Sequence, residues 1–87
     1  MARQPLVDAI LAAAEFDYLE VFREGPAWGA VIEDHFDGQY NEIGRCAVGR
    51  DTPEEAIMDA VVEARQFWAQ RMGPRRKPLT REQKASE

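Results

Sequence analysis

Apolar residues change rhythm three times along this chain. From Pro5 to Glu15 they recur as Leu6, Val7, Ile10, Leu11 and Ala14, the spacing of one helical face. Pro5 suits a first helical turn, and Ala12 to Ala14 add helix propensity. This face is expected to lie in the core, with part of it serving a dimer partner as the alternative. From Asp17 the rhythm becomes alternation, the period of a strand. Residues 17–24 place Leu19 and Val21 on one side and Tyr18, Glu20 and Phe22 on the other. Gly25-Pro26 marks a turn. Residues 27–34 place Trp28, Ala30 and Ile32 together, opposite Gly29 and Val31. Residues 35–39 read as a connection, with Asp37-Gly38 as its hairpin signal because both tolerate positive φ. Residues 40–48 give a third strand in which Gly44 marks a bulge.

The third rhythm is helical again and the clearest. Ile57, Ala60, Val61, Ala64, Trp68 and Met72 form one stripe. Thr52 and Glu55 have the spacing of a capping box, Pro53 fits the first helical position, and Asp51, Glu54 and Glu55 favour the positive end of the helix dipole. Gly73-Pro74 stops the helix. Short connections favour antiparallel neighbours. The expected fold is therefore α+β, ordered α-β-β-β-α: a three-stranded antiparallel sheet packed with two helices, with Trp28, Ile32, Ile57, Val61, Ala64 and Trp68 in or near the core. Residues 1–73 form that domain. Residues 74–87, PRRKPLTREQKASE, read by composition as a flexible basic tail, in which Thr80 and Gln83 frame a last helical turn.

Charge sharpens this picture. Residues 1–72 hold six basic and fourteen acidic residues, a net −8, whereas residues 73–87 carry +3. An acidic body repels phosphates and favours basic partners, so a protein partner is expected rather than direct nucleic-acid binding. The N-terminal apolar run is broken by Asp8 and followed by Glu15 and Asp17, so neither a signal peptide nor a membrane span is expected. One cysteine fits a reducing, cytoplasmic setting.

Candidate chemistry is sparse. His35 beside Asp34 and Asp37 reads as a solvated histidine rather than a metal ligand, and Cys46 reads as a buried strand residue. No phosphate loop or nucleophile motif is present, and no cofactor or enzymatic activity is expected. Between residues 33 and 42 stand four carboxylates and no Lys or Arg. Glu33, Asp34, Asp37 and Glu42 are therefore the candidate partner-binding residues, with Glu20 and Glu24 as lesser ones. Tyr18, Phe22, Met58 and Val62 lie off the main apolar faces and form a candidate patch for a homodimer or partner.

The element order resembles that of double-stranded RNA-binding domains, but Asp51, Glu54 and Glu55 stand where that family opens its last helix with lysines. A second resemblance spans residues 28–68. Ala30-Val31-Ile32-Glu33, Asp37-Gly38-Gln39-Tyr40, Gly44-Arg45-Cys46 and Asp51-Thr52-Pro53-Glu54-Glu55-Ala56 resemble the small domain of HicB-like antitoxins, with Arg50 in place of that family's glycine and without its proline before the Gly-Cys. The strand-then-T-P-E-E-A pattern is also similar to small sandwich domains of tailed-phage proteins. These resemblances imply a non-enzymatic inhibitor of phage or mobile-element type, working in the host cytoplasm. Like small anti-CRISPR proteins, it would use an acidic surface to occupy a basic, nucleic-acid-binding site on a host protein. The alternative they imply is an antitoxin module that neutralises a small ribonuclease toxin.

Overall fold

A computed structural model describes residues 4–72 of the chain. The helix stop at Gly73-Pro74 and the readings made of residues 74–87 lie outside this span. Five elements follow in order: α1 (Pro5–Ala13), β1 (Tyr18–Glu24), β2 (Ala27–Phe36), β3 (Gln39–Arg50) and α2 (Pro53–Met72). The strands form an antiparallel meander in the order β1-β2-β3. The α+β architecture and its α-β-β-β-α order are as the periodicities predict.

The predicted loop at 35–39 shrinks to a two-residue turn. Asp37 (φ 54°) and Gly38 (φ 83°) both occupy the left-handed region, which lets β2 and β3 continue their right-handed twist up to the turn. Near Gly44 the ladder shifts: Ile32 pairs with Gly44, whereas Glu33 pairs with Glu42. Ile43 is the extra residue of the bulge, and both it and Gly44 are buried. A Cβ at Gly44 would overlap the Ala60 carbonyl, so glycine is what allows α2 to approach β3 so closely.

α2 starts as its sequence suggests, with one variation. The Glu55 backbone N–H donates to Thr52 Oγ1 at 3.3 Å. The Thr52 hydroxyl in turn donates to Glu55 Oε1 at 2.9 Å, so the glutamate returns to the cap side chain. The helix buries Ala56, Ile57, Ala60, Val61, Ala64 and Trp68 against Ala30, Ile32, Ile43 and Cys46 of the sheet. Trp28 is only partly buried, at the margin of this core.

α1 packs on α2 rather than on the sheet, so both helices lie on one side. Pro5 and Asp8 lie near Glu54 and Glu55 at one end, and Arg65 binds Glu15 at the other, so the helices run side by side in the same direction. The face that α1 buries is not the expected one. Ala9, Ala13 and Phe16 are buried, while Leu6, Val7, Ile10 and Leu11 are 40%, 46%, 47% and 65% exposed. Small alanines permit close helix–helix approach, and this turns the large aliphatics outward.

Candidate functional site: the uncovered sheet face

Strand alternation sorts the acidic residues. Tyr18, Glu20, Phe22 and Glu24 share one face of β1; their partners on β2 are Glu33, Val31, Gly29 and Ala27. On β3, Glu42 pairs with Glu33, and Arg45 pairs with Val31. This face is turned away from both helices. Glu20, Glu24, Glu42 and Arg45 are exposed on it and Glu33 is partly so. Phe22 is half-buried, because its ring lies over Gly29, where a Cβ would collide with it. His35 continues the face near the hairpin, its ring meeting Tyr40 edge to face at 5.1 Å.

One of the predicted acidic residues needs correction, and a second is engaged within the chain. Asp34 is not a surface carboxylate. It shares the parity of Ala30 and Ile32, points toward α2 and is completely buried. Its Oδ2 accepts the Trp68 indole N–H at 2.8 Å, and its Oδ1 accepts the Asp17 backbone N–H at 2.7 Å. Asp17 answers by accepting the His35 backbone N–H at 2.8 Å. Asp34 therefore clasps the α1–β1 junction to β2 and α2, and is unavailable to a partner. Glu42 is exposed but engaged: Arg45 Nη2 and Nε reach its two oxygens at 2.7 and 3.1 Å. The hydrogen bond from Arg45 holds the Glu42 carboxyl below its ordinary range and raises the guanidinium in turn. A basic residue just past the hairpin thus folds back onto it. Asp37 stays exposed at the turn.

The proposed apolar patch is also divided. Tyr18 and Phe22 lie on the uncovered sheet face, whereas Met58 and Val62 lie on α2, on the sheet's other side. Val62 is exposed, and Met58 packs partly against the core. The signal missed in the sequence is α1 itself, whose Ala9-Ala12-Ala13-Phe16 spacing is as helical as the aliphatic stripe.

Between the helices runs an open groove of about 680 Å³ with Ala9, Ala12 and Met58 in its wall. Glu54, Glu55 and Asp59 rim it, and Arg50 crosses to Asp59 at 3.1 Å and Glu55 at 3.4 Å. Asp59 also lies 3.6 Å from Cys46 Sγ. Burial, and then the Asp59 carboxylate, push the Cys46 thiol up, the reverse of what a nucleophile needs. Cys46 faces α2 and His35 faces away from it, so the sheet separates the two. Among the described residues, no three His, Cys, Asp or Glu side chains are grouped to hold a metal ion. Nor is any helix among them long and apolar enough to cross a membrane.

No protein-family model, characterised protein or solved structure matches the chain.

Proposed function

We propose that this chain is a non-enzymatic protein-binding module of the inhibitor kind, which offers the uncovered sheet face to a basic surface on a partner protein. One observation carries the reading. Glu33 and Glu42 are direct cross-strand partners on a face that neither described helix covers, with Glu20 and Glu24 beside them on β1. Like charges placed directly opposite each other weaken a sheet. Among the described residues, Arg45 offsets part of that charge by binding Glu42. A partner's lysines and arginines would neutralise the remainder. The charge of the face would speed encounter with a basic, nucleic-acid-binding surface. The separation of Cys46 from His35 and the raised thiol support binding rather than covalent chemistry. The acidic field makes direct nucleic-acid contact unfavourable. On this reading the chain would act as an inhibitor of phage or mobile-element type in a host cytoplasm.

The test compares the wild-type chain with a Glu20→Lys, Glu24→Lys, Glu33→Lys variant as baits in a host extract at several salt concentrations. The wild type should retain a basic nucleic-acid-binding protein, less of it as salt rises, and the triple variant should retain none. Recovery of a small ribonuclease would make the module an antitoxin. Equal capture by both baits would remove the sheet face from consideration.

A further inference from the structure

We propose that two copies of this chain pair through the outer faces of their α1 helices. The observation is independent of the sheet face. Val7, Ile10 and Leu11 stand together on the side of α1 turned away from its buried alanines, 46%, 47% and 65% exposed, and Leu6 flanks them at 40%. Residues 5–14, PLVDAILAAA, contain one charge, Asp8, and it lies on the groove side of the helix beside Glu54. The outer face is therefore aliphatic and uncharged.

Charge, the composition of the remaining chain and the area of the face assign a second copy as the occupant. The first is charge. The full chain carries a net −5, with −8 on residues 1–72, so two copies repel over most orientations. They can approach closely only where neither presents a carboxylate, and the outer face of α1 is such a surface. A basic partner would gain nothing from that neutral face while carboxylates lie exposed elsewhere. The second is the remaining chain. Residues 73–87 contain one large aliphatic residue, Leu79, so they supply no matching apolar face. The third is area. Four half-exposed aliphatic side chains offer on the order of 300 Å² per copy. Doubled across a twofold axis, this is about half of the smallest stable specific interfaces. The contact therefore belongs to the small, transient class of interfaces. Such an interface makes a weak dimer that forms with concentration, and a twofold axis is the simplest closed way to satisfy one self-complementary patch.

The geometry has a functional consequence. α1 lies on the helical side of the sheet, so pairing through it leaves both uncovered sheet faces free. The dimer is bivalent, and a partner with two basic sites would be held more tightly than by either face alone.

Sedimentation equilibrium of the full chain, from low micromolar to millimolar, tests this directly. A monomer–dimer equilibrium is expected, strengthened by added salt because salt screens the repulsion between acidic bodies. Partner binding by the sheet face has the opposite salt dependence, so the two readings fail separately. Leu11→Glu and Ile10→Glu should each weaken the dimer roughly tenfold or more while far-UV circular dichroism stays native. Should either fail to fold, Leu11→Gln should weaken it in the same direction. A monomer at millimolar concentration, a dimer untouched by these variants, or a dimer weakened by salt would overturn the proposal. So would a monomeric chain whose capture of a basic partner is lost in Leu11→Glu, since the face would then belong to that partner.

Discussion

Trp68 donates its indole N–H to Asp34 Oδ2 across 2.8 Å, and the carboxylate that receives it has no exposed surface. The bond joins the last turns of α2 to the end of β2, residues separated by 34 positions in the chain. A buried carboxylate is tolerated only when its oxygens are satisfied, and here the second oxygen accepts the Asp17 N–H. The polar pair thus fixes three segments relative to one another: α2, β2 and the α1–β1 junction.

Removing that carboxylate should be costly. Asp34→Ala leaves the Trp68 and Asp17 donors without their acceptor inside the protein, for an expected loss of about 2–4 kcal/mol. Asp34→Asn keeps one acceptor and should lose less. Urea unfolding followed by tryptophan fluorescence measures both, and Trp28 contributes a common background. A double-mutant cycle with Trp68→Phe should show coupling of about 1 kcal/mol or more. Additive losses would mean the indole bond contributes little.

How much of this was legible in the sequence depends on which kind of information each feature used. α2 announced itself because its cap and stripe are local, and Asp37-Gly38 did so because its backbone demands are local too. Gly44 signalled the bulge, though not its reason, the close passage of Ala60. Asp34 sits within a run of carboxylates, so composition alone places it on the surface. Its parity with Ala30 and Ile32 already pointed it inward, but the partner that makes burial tolerable lies on another element. α1 was ambiguous in principle. Its aliphatic and alanine faces have equal helical periodicity, and hydrophobicity favours the wrong one. Close helix packing selects the small face instead, a choice that depends on α2 and cannot be seen in residues 5–15 alone.

Cys46 should be a slow thiol. Burial and Asp59 raise it above its ordinary value of 9.0, so the reactive thiolate is scarce at neutral pH. Alkylation of the native chain should lag well behind that of the unfolded chain at the same pH. Asp59→Asn removes the repelling carboxylate and leaves Arg50 nearby, so the midpoint of the rate–pH profile should move to lower pH. The sign for stability follows. A folded-state pKa raised above the unfolded one helps the fold below the unfolded pKa, and that help is lost as pH rises through the folded value. An unchanged midpoint in Asp59→Asn would show that burial alone protects the thiol.

Glu33→Lys should separate stability from binding. In the native sheet Glu33 faces Glu42, and the like charges oppose each other on the uncovered face. Lysine at position 33 would face Glu42 with opposite charge, while Glu42 keeps its bond to Arg45. The expected outcome is a gain of about 0.2–1 kcal/mol, seen as a small rise in melting temperature. The gain should shrink with salt, because the pair is exposed. Its pH dependence carries a further sign. Arg45 holds Glu42 below the ordinary 4.5, so Glu42 stays charged to lower pH than a free glutamate. The gain should persist to lower pH than a free glutamate would allow and fade as Glu42 takes up its proton. Partner capture should fall in the same variant, because the position that destabilises the isolated sheet is the one proposed to meet a basic surface. Glu42→Lys should not give the same gain, since it also breaks the bond to Arg45. If Glu33→Lys instead lowers the melting temperature, the glutamate pair is not a strain in the isolated chain, and the argument that its charge awaits a partner loses its foundation.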